Sequence, residues 1–232
     1  MNVKYVMKHQ ELMKGGIMMK RYLTLFSALI LLLALSGLSH AYSINYLYDT
    51  DGNNFISPYS GVIVEDFEGS LLWTWTGSYH VLTGDVSGVA SAPFGDSTKD
   101  TTKYVSVPKD VNDVPQSVAV TNLGGLYNYF GLWWGSVDTY NTLTFYNNGT
   151  EVASFTGTSI TTPNAANGDQ TAPSTNLYVN FLDLPLFNSF EMTSTQYAFE
   201  ADNLAIGVVP EPTTLLLLGF GLLGLAGFRR KE

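Results

Sequence analysis

The chain has no cysteine, only three histidines, and almost no positive charge outside its two ends. Without cysteine there are no disulfide staples, no thiol nucleophile and no thiolate metal site, so a hydrophobic core must supply the stability. Between residues 42 and 208 the only histidine is His80, and 17 acidic residues stand against Lys99, Lys103 and Lys109, a net charge of −14. A surface of that sign repels nucleic acid and anionic lipid, and it favours solubility and divalent cations. Helical periodicity is missing as well. No ten-residue window of this stretch repeats its apolar residues at helical spacing.

The two ends are built differently from the middle. Lys20-Arg21 precede an apolar stretch over 22–38, and Ser39-His40-Ala41 puts small residues at the minus-three and minus-one positions. That pattern predicts a signal peptide over 1–41, cut after Ala41 by signal peptidase once the general secretion machinery has engaged it. Residues 1–17 do not fit the pattern. Met18 and Met19 sit directly before the Lys-Arg pair, so the expected start is one of them.

At the other end Val209-Pro210-Glu211-Pro212 is followed by an apolar run over 213–228 and then by Arg229-Arg230-Lys231-Glu232. The 16 residues of that run rise roughly 24 Å as a helix, a little under a hydrocarbon core of about 30 Å. Local bilayer thinning and snorkelling arginines close the gap. Pro212 suits a first helical turn, where its missing N–H costs nothing. Arg229, Arg230 and Lys231 form a basic membrane stop that stays cytoplasmic, which places Pro210 and everything before it outside.

This three-part tail over 209–232 resembles the PEP-CTERM sorting signal of bacterial surface proteins, with Pro210, Glu211 and Pro212 as its motif. The resemblance implies a membrane-embedded cysteine protease-transpeptidase, an exosortase, that cuts near the motif and releases or hands on the passenger. It implies transient anchoring in the inner membrane, then residence at the cell surface or outside the cell, in an exopolysaccharide or biofilm matrix.

The passenger over 42–208 has the size of one ordinary domain. Short runs rich in Val, Thr and aromatics recur at 62–67, 71–76, 79–83, 104–107, 117–121, 129–134, 142–146, 151–156, 178–181, 187–193 and 197–207. They are bounded by Gly, Asn, Asp, Ser and Pro, as strands are. Asn147-Asn148-Gly149 between two such runs predicts a hairpin, because Asn and Gly tolerate the positive φ of a tight turn. The last run alternates Tyr197, Phe199 and Ala201 with Ala198, Glu200 and Asp202, the pattern of a strand with one buried face. Short strands without helices predict an all-β fold, an antiparallel β-sandwich of jelly-roll type. The polar stretch 161–175 is expected to be a long exposed loop, with no second domain.

Three blocks in the passenger carry a second resemblance: Asp100-Thr101-Thr102-Lys103-Tyr104-Val105-Ser106-Val107, the stretch 129–146, and Phe199-Glu200-Ala201-Asp202-Asn203-Leu204-Ala205-Ile206. They look like hallmark blocks of a subfamily of exosortase-dependent surface proteins. The similarity, with the tail, covers most of 62–232. It implies export and surface or matrix association, and brings no enzymatic activity with it.

Chemical constellations are thin. His80, between Tyr79 and Val81, has no accompanying nucleophile motif, so it reads as a strand residue and not as a catalytic base. Glu65, Glu68, Glu151, Glu191 and Glu200 offer carboxylates that a glycosidase pair would need, but acidic residues are abundant here and a solvated surface is the default. Calcium is the one cofactor the pattern suggests. Asp66 and Glu68 share a face near the start of the domain, and Glu200 or Asp202 near its end would complete an oxygen set. Asp49-Thr50-Asp51-Gly52-Asn53-Asn54 has its glycine two positions too early for an EF-hand loop and reads as a turn. Trp73 and Trp75 are expected on one strand face. Adjacent Trp133 and Trp134 must face opposite ways, one into the core and the other available for stacking on a sugar.

The sequence thus predicts a non-enzymatic surface or matrix protein. A calcium-assisted carbohydrate-binding module is the alternative, and a polysaccharide-active enzyme ranks third.

Overall fold

The computed structural model describes residues 42–47, 55–95, 97–110, 112, 115–160 and 166–209. The expected signal peptide, the turn at 49–54, the Pro210-Glu211-Pro212 motif, the apolar run over 213–228 and the Arg229-Arg230-Lys231 stop lie outside the described residues, as do residues 161–165 of the expected loop. By packing the chain divides into Met1–His40 and Ala41–Glu232, and every described residue belongs to the second unit.

Regular structure among the described residues is β, apart from one 3-10 turn at Gly157–Ser159. In chain order the strands are β1 (Ser43–Leu47), β2 (Ile63–Glu65), β3 (Thr74–Gly77), β4 (His80–Thr83), β5 (Phe94–Gly95), β6 (Thr98–Lys99), β7 (Lys103–Val107), β8 (Gln116–Thr121), β9 (Tyr129–Gly135), β10 (Asn141–Asn147), β11 (Thr150–Thr156), β12 (Leu177–Leu182), β13 (Ser189–Ser194) and β14 (Phe199–Gly207). Each run read as a strand from the sequence coincides with one of β2–β4 or β7–β14.

All pairings are antiparallel. A seven-stranded sheet runs β1-β12-β9-β14-β7-β4, with β2 also on β14; a five-stranded sheet runs β11-β10-β13-β8-β3; β5 and β6 form a short separate ribbon. From β7 onward the chain alternates between the two large sheets, except where β10 turns directly into β11. That turn is the predicted hairpin. Asn148 and Gly149 carry φ of 49° and 79°, the two left-handed residues that a type I′ turn requires.

The period-2 pattern explains how the sheets meet. In β13, Phe190, Met192 and Ser194 are buried and alternate with half-buried Ser189, Glu191 and Thr193. Rings from opposite sheets interlock between them. Phe130 on β9 lies 5.2 Å from Phe145 on β10 and 4.8 Å from Phe190 on β13, and Phe155 on β11 lies 4.7 Å from Phe181 on β12. These residues belong to one core cluster shared by both sheets. Trp73 and Trp75 share the core-facing side, at 5.9 and 6.2 Å from Phe190.

Strands β9 and β14 break the half-buried pattern, since nearly every residue in each is buried. A strand buried on both faces needs cover on its outer side. What covers it forms the site.

Candidate functional site

On β14, Phe199 and Ala201 enter the shared core, so pleating directs Glu200 and Asp202 to the outer face of the larger sheet. That face is not solvent. The segment between β4 and β7 folds back across it: the Asp100 N–H donates to the Pro93 carbonyl at 2.8 Å, and Phe94 and Ser136 both donate to Asn176 Oδ1 at 3.0 Å. A Cβ on Gly135 would stand 3.1 Å from Pro93, so the close approach suits glycine. Phe55 stacks on Trp133 with centroids 4.2 Å apart and planes 13° from parallel. Phe55, Trp133 and Tyr178 make a second small core on this outer side.

Polar side chains are sealed beneath this cover. Glu200 accepts from the Ser91 N–H at 3.0 Å through Oε1 and from the Ser136 hydroxyl at 3.1 Å through Oε2. Burial pushes its carboxyl up to about 7, while the Ser91 and Ser136 bonds pull the other way. Two residues on, burial pushes the Asp202 carboxyl up to about 8; the Asn203 backbone bond opposes this, and the negative charges of Asp100, Asp66 and Glu68 add to it. Asp100 uses Oδ1 to accept from the Thr102 N–H at 2.8 Å and from the Thr102 hydroxyl at 2.5 Å. The same hydroxyl lies 3.5 Å from Asp202 Oδ2. The remaining oxygens, Asp100 Oδ2 and Asp202 Oδ1, are buried without a hydrogen-bond partner.

Among the residues expected to hold calcium, Asp66, Glu68 and Asp202 come within electrostatic reach of one another, whereas both oxygens of Glu200 are committed to Ser91 and Ser136. Asp66 Oδ1 accepts from the Glu68 N–H at 3.1 Å, and Glu68 Oε1 accepts from the Lys103 N–H at 2.6 Å. Asp100 joins this group without having been singled out. Its sequence signal was local: in Asp100-Thr101-Thr102 the aspartate caps its own turn. No three His, Cys, Asp or Glu side chains among the described residues converge tightly enough to form a ready metal cage.

Trp133 and Trp134 do face opposite ways, but both are buried. Trp134 stacks on Phe199 in the main core at 4.5 Å, and Trp133 is 7% exposed beneath Phe55. Covering by Phe55, which no strand pattern announces, is why the outward tryptophan is not a free platform. His80 opens edge strand β4, where its Nε2 contacts the Lys109 carbonyl. Glu65 ties down a turn, accepting from the Phe67 and Leu72 N–H groups at 3.1 and 2.6 Å, and burial raises its carboxyl.

Two hollows border the covered face. One, of about 560 Å³, is lined by Asp85, Ser91, Gln170, Tyr197, Ala198 and Glu200. Lys99 lies beside it, donating to the Ser91 hydroxyl at 2.5 Å, the Gln170 carbonyl at 2.8 Å and the Ala92 carbonyl at 3.1 Å. Its ion pair with Asp85, at 3.7 Å, is the only one among the described residues. The other hollow, of about 370 Å³, is lined by Phe55, Lys99, Asp100, Thr102, Trp133 and Asn203 among others.

The chain leaves the domain at a fixed point. Asn128 donates through Nδ2 to the Val209 carbonyl and accepts from the Val209 N–H through Oδ1, both at 2.8 Å. One side-chain amide thus satisfies both backbone groups of the residue immediately before Pro210, a role invisible in the sequence. No curated protein matches the chain. Residues 208–231 match the PEP-CTERM protein-sorting motif, beginning one residue ahead of the Asn128 grip. The chain therefore carries the PEP-CTERM protein-sorting motif, the mark of an exported protein sorted by an exosortase.

Proposed function

We propose that this protein is a non-enzymatic component of the cell surface or extracellular matrix, delivered by exosortase cleavage near Pro210-Glu211-Pro212. The observation that carries the reading is the position of the sorting motif. It starts at residue 208, directly behind β14, so cleavage there frees an all-β domain with its core intact. The alternation of β7 to β14 between two facing sheets is read as a jelly roll, a scaffold suited to an extracellular module. The buried acids support a structural role: Glu65 and Glu200 are engaged by backbone and hydroxyl donors inside the fold.

Replacing Pro210, Glu211 and Pro212 together by alanine in the native cells tests the sorting step. The expected result is full-length chain retained in the membrane fraction and none in the medium or matrix. Normal release of the triple variant contradicts the reading. The non-enzymatic part is tested by incubating the purified chain with the cells' own polysaccharide, where no new reducing ends or unsaturated products are expected.

A further inference from the structure

Asp66, Glu68 and Asp100 lie within electrostatic reach of Asp202 on the last strand, and no ion pair to any of the four is present among the described residues. Asp66 and Glu68 follow β2, which pairs with β14 through Glu65 opposite Leu204; Asp100 precedes β7, also a neighbour of β14; Asp202 lies in β14 itself. The three other acids all act on the Asp202 charge. Lys99 lines the same hollow as Asp100 and Thr102, but its Nζ is engaged by Asp85, the Ser91 hydroxyl and the Ala92 and Gln170 carbonyls; Lys103 Nζ reaches the Glu68 carbonyl, at 3.3 Å.

Within the group two oxygens are conspicuous. Asp202 is 2% exposed and Asp100 is 8% exposed, yet Asp202 Oδ1 and Asp100 Oδ2 have no donor. Their partner oxygens lie on either side of one threonine hydroxyl, Thr102 Oγ1, at 3.5 and 2.5 Å. A buried carboxylate oxygen without a donor is costly, and the nearby Asp100 charge adds repulsion at Asp202. A proton on one oxygen relieves part of that cost. A hard divalent cation relieves both the desolvation and the repulsion, and it takes oxygen ligands of these kinds.

We propose that Asp100 and Asp202, with the Thr102 hydroxyl between them, form a calcium site that ties the segment before β7 to the last strand, the negative charges of Asp66 and Glu68 adding attraction. Two carboxylates do not fill a calcium sphere, and water and backbone carbonyl oxygens complete it, as is usual for this ion. The site differs from a strand-end set built on Glu200, whose oxygens are already used. It is independent of the sorting reading, and either stands if the other fails.

The test uses the full-length chain in mild detergent, stripped with a chelator and then titrated with calcium alone or terbium alone. Calcium at a hundredfold excess over its Kd is expected to raise Tm by about 5–10 °C. Terbium is expected to luminesce at one equivalent on tryptophan excitation, Trp133 lining the same hollow as Asp100 and Thr102. Asp202→Asn and Thr102→Val should each abolish or weaken both responses by tenfold or more. Glu151→Gln, on exposed β11, should leave them unchanged. Far-UV circular dichroism confirms that each variant folds, and the wild-type titration stands without them. No calcium-dependent Tm shift in the wild-type chain, or a response equal in wild type and folded Asp202→Asn, overturns the proposal.

Discussion

Phe130 is where the sandwich should be most sensitive. It is fully buried on β9, and its ring lies 4.8 Å from Phe190 and 5.2 Å from Phe145, both in the opposite sheet, and 6.4 Å from Phe187. Truncating a buried phenylalanine to alanine costs about 3–5 kcal/mol through lost transfer energy and the cavity left behind. Each edge-to-face pair contributes about 0.5–1.5 kcal/mol beyond area, so a ring with three such partners belongs in the upper half of that range. Phe130→Ala is therefore expected to cost about 4 kcal/mol, a large share of the ~5–15 kcal/mol by which domains are stable. Phe130→Leu, which keeps much of the volume but loses the ring contacts, should cost about 1–2 kcal/mol. Leu72→Ala, at a residue 55% exposed, should cost under about 0.5 kcal/mol. Urea unfolding followed by tryptophan emission measures all three. A cost below about 1 kcal/mol for Phe130→Ala would refute the claim that the two sheets share one core through this ring.

Two further perturbations probe the outer face and the exit. A Cβ on Gly131 would collide with the Tyr129 hydroxyl and stand 2.7 Å from the Tyr178 hydroxyl. Gly131→Ala should thus destabilise by about 1–3 kcal/mol, and by less in a Tyr129→Phe background, as a double-mutant cycle would reveal. Asn128→Ala removes both bonds to Val209, and hydrogen exchange at the Val209 amide should quicken on the order of tenfold with little change in Tm. Unchanged exchange would mean that the grip does not hold the tail.

The strands were legible because their signal is local. In β8 and β13 the alternation of side chains is the alternation of faces, and Asn148-Gly149 names its own turn. β1, β5 and β6 carry no such signal. β1 is an edge strand defined by its pairing with β12, and the β5–β6 ribbon is two residues a side, too short for any period. The acidic pair was half visible. Asp202 follows from the alternation of β14, but Asp100 sits outside a strand and joins it through the fold-back over the larger sheet, a long-range event with no periodic trace. Phe55, from the stretch ahead of β2, buries Trp133, which strand geometry alone left facing outward. Asn128 was illegible for a similar reason: its partner is 81 residues away.

The central claim is that the domain ending in β14 is cut from its tail by an exosortase. The most direct measurement is the C-terminal residue of the mature protein from its native cells, by intact mass and peptide mapping, with and without the exosortase. The account predicts an end close to Pro210, with the apolar run of 213–228 missing, and an uncut chain when the exosortase is absent. An intact Arg229-Arg230-Lys231-Glu232 end in cells with active exosortase would contradict it and leave a tail-anchored membrane protein.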